Sequence, residues 1–421
     1  MPDLETTTLR KVRNGLIPFL GLLYFAAFID RVNIGFAAEQ MHRDLGFSAF
    51  VYGLGAGIFF IGYCLFEVPS NLALHRLGGR RWIARIMLSW SLLAGAMAFI
   101  QGPIGFYTLR FLLGAAEAGF FPGVIYYLTY WVPESERARL VGLFMTAIPI
   151  STALGGPLSG AILKLDGVLG LAGWRWLFLI ETLPSLLLGW ATLHVLVDTP
   201  AEARWLSAAE RAWLSETLRA ESARGAAGAN SLRATLISRS VLALSACYFG
   251  VECALYGVIL WVPQILATAG IAWGGPGWLV AIAYSIAAIG MVAWCRHSDR
   301  TRERVWHIAI ASVIAFIGLA SSALLPRSPL LSVLAVTAGA SGTLAILPVF
   351  WTLPAARLQG ASAAAAIALI NAFGNIGGFS GPFLIGWIKD ATGSFSGGLV
   401  LVAGGALLTG AIALRIGPHR A

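Results

Sequence analysis

The stretch AAFIDRVNIGF, Ala26 to Phe36, sets an aspartate beside an arginine inside an otherwise apolar run. If the helix ended at Ile29, the segment from Leu16 would reach only about 21 Å at 1.5 Å per residue, short of a hydrocarbon core of about 30 Å. Continued through Val32, Ile34, Gly35, Phe36 and Ala38, it completes a crossing, with Asp30 and Arg31 inside it somewhat past the midpoint. The stretch therefore reads as the core of a membrane span that carries two charges.

The rest of the 421 residues agrees with a membrane setting. Hydrophobic residues make up 58% and charged residues 12%, against roughly 25% charged in soluble domains. Mean hydropathy is +0.78. Residues Met1 to Gly15 are polar and basic, with no cleavage pattern after the first apolar run, so that run is expected to be a retained span. Applying the 20-residue requirement along the chain gives twelve spans, beginning near Leu16, Phe50, Trp82, Ile104, Leu140, Trp174, Ser240, Trp273, Trp306, Leu330, Ala361 and Ser396. The net charge of +9 would suggest nucleic acid in a soluble chain, but here topology explains it and no nucleic-acid partner is expected.

One side holds Arg10, Lys11, Arg13, Arg76, Arg80, Arg81, Arg85, Arg137 and Arg139, the basic residues from Arg204 to Arg239, and Arg296, Arg300, Arg302 and Arg304. The other has little beyond Arg43, Lys164, Arg175, Arg327 and Lys389. The positive-inside rule makes the first side cytoplasmic, with both termini, in a cell inner (plasma) membrane. The loop Asp198 to Arg239 contains AERAWLSETLRAES, an amphipathic helix expected to lie beneath the bundle with Trp213 and Leu214 inward. The expected organisation is a six-helix bundle over 1–197, a central loop over 198–239 and a second six-helix bundle over 240–421. Weak internal duplication supports it: Tyr24-Phe25 recurs as Tyr248-Phe249, the basic turn after His75 recurs after His297, and GGPLSG from Gly155 resembles FSGPFLIG from Phe379. Repeats of this kind place a binding site between two bundles.

A second charged pair stands in RFLLGAAEAGFFPG, where Arg110 and Glu117 are seven residues apart and share a helix face. Each ionised group at mid-membrane costs about 2.5–3.5 kcal/mol. Asp30, Arg31, Arg110 and Glu117 are therefore expected to face a shared cavity or one another. Their charges sum to zero, so an entering anion is balanced only after a carboxylate takes a proton. Proton and organic anion then move together, with Arg forks gripping a carboxylate. Other polar positions in spans are Glu252, a second proton site, a substrate contact or else a paired core residue, and Asn371 and Asn375, one turn apart, which bond substrate hydroxyls or join helices. Tyr63, Tyr256 and Trp351 are candidate cavity aromatics. Glu67 and Glu181 are expected near span ends, bonding loop arginines or helix termini. The four cysteines and six histidines form no ligand pattern. No metal, cofactor or catalytic set is expected, and the chain is not read as an enzyme.

At these residues the chain resembles a major facilitator superfamily transporter, and within it the anion:cation symporter family of phthalate, tartrate, galactonate and vesicular glutamate carriers. DRVNIGFA (Asp30 to Ala37), GYCLFEVPSNL (Gly62 to Leu72) and RFLLGAAEAGFFPG (Arg110 to Gly123) carry the likeness. WRWLFLIETLP, LYGVILWVPQIL and INAFGNIGGFSGP support it, the last being nearest the tartrate and phthalate branch. The resemblance implies Asp30 and Glu117 as proton-coupling carboxylates, Arg31 and Arg110 as substrate arginines, and Tyr63, Trp351 and Asn371 as cavity positions. It implies a proton-coupled importer of a small organic anion, working as a monomer in the bilayer. Two departures stand out: the loop motif after the second span has Asn71 and His75 where glycine and aspartate are usual, and Phe28 replaces a common tyrosine. The competing functions are a proton-driven drug or metabolite antiporter and a non-transporting sensor of organic acids.

Overall fold

The computed structural model describes residues 2–225, 236–268, 276–324, 329–357 and 361–417. Among the described residues, twelve helices are long and apolar enough to cross a membrane: Leu4–Leu45, Ala49–Leu77, Gly79–Phe99, Pro103–Thr129, Arg139–Leu165, Gly173–Val195, Arg239–Ile259, Gly277–Thr301, Val305–Leu324, Leu330–Pro354, Ala365–Thr392 and Ser396–Ile416. The expected start at Trp273 lies outside the described residues. The first helix runs without a break through Asp30 and Arg31. Leu65, Leu92, Ile104, Leu187, Trp190, Ile289, Trp306 and Leu330 are exposed around the outside. Such a surface is stable against lipid, where the helical backbone satisfies its own polar groups.

Pairing among the helices repeats with a shift of six. The first span packs on the fifth and sixth, the second on the fourth, and the third on the fourth and sixth. Correspondingly, the seventh packs on the eleventh and twelfth, the eighth on the tenth, and the ninth on the tenth and twelfth. The two main contacts between halves, second on eleventh and fifth on eighth, are images of each other under the same shift. The weak duplication in sequence thus corresponds to two pseudo-symmetric six-helix bundles.

Glycines permit the closest inter-bundle approaches. A Cβ at Gly156 would stand 2.2 Å from the Gly277 carbonyl oxygen, and one at Gly53 would stand 2.6 Å from that of Pro382. Nearby, the Asp390 carboxylate accepts from the Ala49 and Phe50 N–H groups at 3.0 and 2.8 Å, capping the second helix from across the interface. Tyr52 donates to the Leu260 carbonyl at 2.8 Å. These contacts join the halves at the face opposite the arginine-rich loops.

The central-loop helix, Ala208–Gly225, docks beneath the first bundle rather than across both. Leu206 and Leu214 are buried, Trp213 is half-buried, and Trp205 stacks on Trp131 with centroids 5.6 Å apart. Its start is a capping box: Ser207 N–H donates to the Glu210 carboxylate at 2.7 Å and Glu210 N–H to Ser207 Oγ at 3.3 Å. Lys11 of the first helix donates to the same carboxylate at 3.0 Å. The Lys11 hydrogen bond, aided by Ser207, holds the Glu210 carboxyl below its ordinary range. A group depressed in the folded state stabilises it at neutral pH and loses that contribution as pH falls. Glu210→Gln keeps the capping box but loses the Lys11 ion pair, and is expected to weaken docking by about 0.2–1 kcal/mol, read as up to about fivefold faster amide hydrogen exchange over 208–218. Acidification should loosen this helix in the wild type and have little further effect in the variant.

Candidate functional site

The site is assembled at a break in the fourth span. Its first half ends at Glu117, Gly119 adopts φ 82°, and a second helix starts at Phe120. Only glycine takes that conformation without strain, and a Cβ there would stand 2.5 Å from Ser70 Oγ. The break frees carbonyls at the end of the first half-helix. One of them, on Ala116, accepts from Arg85 at 3.3 Å, so Arg85 reaches inward as a cap instead of serving only as a loop charge. Glu117 is thereby held at a helix terminus; it does not itself line the central chamber, which it reaches only through Arg31.

Arg31 meets it from the first span. One arm of its guanidinium donates to the Glu117 carboxylate, the other to Tyr256 Oη at 2.7 Å. Phe28, Phe59, Tyr63 and Tyr256 surround the cation with ring centroids 5.2–5.9 Å away, favourable for a desolvated guanidinium. Arg31 Nε has no partner.

The chamber between the bundles offers about 50 Å³ of free room. Arg31, Tyr24 and Tyr63 line it from the first bundle and Tyr248, Glu252, Tyr256, Asn371 and Asn375 from the second. Tyr24 and Tyr248, matched in the sequence duplication, face each other across it. Arg31 is the one cation among these lining residues.

Asp30, Arg31, Arg110 and Glu117 are 4%, 7%, 1% and 2% exposed, but they do not form one network. Consecutive helix residues diverge by about 100°, so Asp30 points away from the chamber, accepting at Oδ2 from Trp90 Nε1 at 2.9 Å and Ser185 Oγ at 2.5 Å. Arg110 stands about 10 Å along the helix from Glu117. It donates to the Gly55 and Ala56 carbonyls of the second span, both at 3.2 Å, with Phe59 beneath it at 4.9 Å. It is not among the residues lining the chamber.

The expected aromatic positions divide in the same way. Tyr63 and Tyr256 line the chamber, whereas Trp351 stands one layer behind, edge-on to Tyr248 at 4.9 Å. Asn371 lines the chamber, but its amide donates to Glu67 at 2.5 Å, and that of Asn375 does so at 3.0 Å. Glu67 therefore ties the second span to the eleventh and does not bond a loop arginine, correcting the expectation from its place near a span end. Glu181 is also inside the bundle, accepting from Ser159 Oγ at 2.7 Å. Where the missing loop aspartate would act, His75 pairs with Tyr126 Oη at 2.6 Å, and Asp198 accepts from the Arg80 N–H at 2.8 Å.

The Major Facilitator Superfamily sequence profile matches residues 20–382. The chain belongs to the Major Facilitator Superfamily. It is a transporter rather than an enzyme, and a multi-pass membrane protein. Among curated members, it is 50% identical to a protein of Agrobacterium vitis named "Putative tartrate transporter", over 98% of this chain and 92% of that one. It is 43% identical to the "Quinolone resistance transporter" of Acinetobacter baumannii, over 95% and 93%. The xylose transporter XylE from E. coli, solved in an inward-open conformation, shares the superfamily fold at a TM-score of 0.76 and 15% identity, over 99% of this chain and 96% of that one.

Proposed function

We propose that this transporter is a proton-coupled symporter that imports a small organic anion, a carboxylate such as tartrate, phthalate or a sugar acid, by alternating access. The arginine-rich face is taken as cytoplasmic, and 1–197 and 240–421 as the bodies that rock about the chamber. The observation that carries this reading is the Arg31–Glu117 pair beside the chamber. With Glu117 ionised, the guanidinium is engaged, and a second carboxylate entering the dry chamber would leave excess negative charge. A proton on Glu117 neutralises it and frees one arm of the fork for the substrate carboxylate. Tyr63, Tyr256 and Asn371 supply further polar contacts. Glu252, with Tyr248 one turn away, is an additional proton or substrate group.

Arg110 enters this cycle as a substrate arginine only if another conformation releases it from the second-span carbonyls. The relative named for quinolone resistance favours a second reading, a proton-driven antiporter. A cavity for lipophilic cations has little use for Arg31 as its one lining cation, and quinolones themselves carry a carboxylate, so Arg31 fits an organic acid under either reading. The test is thermal stability of purified protein against a panel of mono- and dicarboxylates at two pH values, since a ligand of the folded state stabilises by mass action. A carboxylate that raises Tm, more strongly at acid pH, is the expected result. Stabilisation by lipophilic cations and by no acid contradicts the proposal.

A further inference from the structure

Behind the chamber, inside the first bundle, lies a second set of buried polar groups. Asp30 and Asn33 of the first span and Glu181 of the sixth are 4%, 2% and 3% exposed. Asp30 Oδ2 and Glu181 Oε1 are served by Trp90, Ser185 and Ser159, whose donors are spent on them. Among the described residues no hydrogen bond within normal limits reaches the remaining oxygens, Asp30 Oδ1, Glu181 Oε2 and Asn33 Oδ1. Ser185, which donates to Asp30, stands one helical turn beyond Glu181 on the same helix, so the two carboxylates flank one turn of the sixth span, with the Asn33 side chain close to Glu181. Glu117 is the other charge that bears on Asp30. Neither Asp30 nor Glu181 forms an ion pair with a described Lys, Arg or His. Arg31, adjacent in sequence, is turned to the chamber.

Two ionised carboxylates there would be like charges in low dielectric with no counterion, each leaving an acceptor empty. One proton halves the charge and turns one of the empty acceptors into a donor.

We propose that Asp30 and Glu181 together hold a proton at a site walled off from the substrate chamber, making Glu181 a coupling residue that acts through Asp30. This deepens the symport reading and rests on it. An ionised Asp30 behind Arg31 opposes an incoming anion, and a proton held by the pair removes that opposition. The step is protonation alone, the proton coming from water on one side and leaving to the other.

The experiment is the pH profile of labelled-acid uptake in proteoliposomes for wild type, Glu181→Gln and Ser159→Ala. Loss of the second negative charge lets the proton leave more readily, so Glu181→Gln is expected to move the half-maximal pH at least one unit toward acid. Loss of the Ser159 donor destabilises the ionised pair, so Ser159→Ala is expected to move it toward alkali. A purely structural role would not give opposite shifts. Unmoved profiles in both variants overturn the proposal, as does uptake that requires sodium in place of protons. If Glu181→Gln does not fold, the Ser159→Ala profile decides. If wild-type uptake is independent of pH, symport itself fails. The pair is then judged separately by infrared spectroscopy: a protonated-carboxyl band at neutral pH that Ser159→Ala shifts supports it, and absence of that band overturns it.

Discussion

Arg31→Ala is expected to weaken acid binding severely. Arg31 is the one cation among the residues lining the chamber, and its removal takes away both the charge and the fork that a carboxylate needs. Truncating one member of a buried, hydrogen-bonded charge pair costs about 2–5 kcal/mol, so affinity is expected to fall between about thirtyfold and several thousandfold. Calorimetric titration with the acid chosen by the stability panel reads it. The variant also leaves Glu117 buried without its partner, which destabilises the fold. The double variant Arg31→Ala/Glu117→Gln removes that charge and is expected to recover stability without recovering binding. Arg31→Lys keeps the charge but loses the bidentate grip, and an intermediate affinity is expected. Binding by Arg31→Ala at wild-type strength would assign the anion site elsewhere.

The second large effect is on coupling. Glu117→Gln imitates the protonated carboxyl permanently, so Arg31 is always available. Acid binding should persist and lose the part of its dependence on pH that Glu117 supplies. Exchange of labelled for unlabelled acid across the membrane should continue, while uphill accumulation falls. For one proton per substrate, a gradient of two pH units sustains about a hundredfold concentration ratio, each unit being worth about 1.4 kcal/mol. The variant is expected to stop well below that ratio. Accumulation by Glu117→Gln at the wild-type level would remove this carboxylate from the cycle.

Much of this was visible before any coordinates. Span lengths follow from bilayer thickness, and a charge in the middle of an apolar run marks a position that lipid cannot face. Asp30, Arg31, Arg110 and Glu117 are all buried for that reason. The direction in which each points was not legible. A helix separates neighbours by about 100°, and which side faces the partner bundle depends on packing across the whole fold. Hence Arg31 reached the chamber, whereas Asp30 turned toward Trp90 and Ser185. The helix break at Gly119 had a local signal in AGFFPG, a glycine three residues before a proline, but its consequence, a carbonyl for Arg85 to cap, is tertiary. The bond from Asn371 to Glu67 joins residues 304 apart, and no periodicity reports such a pair. Glu181 was expected near a span end, yet it lies inside a helix that runs from Gly173 to Val195.

The most direct measurement is uptake of labelled tartrate, or of whichever acid the panel selects, into proteoliposomes with an imposed pH gradient and no sodium. Acid outside and alkaline inside, the lumen should fill well above the external concentration, and a protonophore should return it to equilibrium. Accumulation that ignores the protonophore, or that appears only with the gradient reversed, would contradict proton-coupled import.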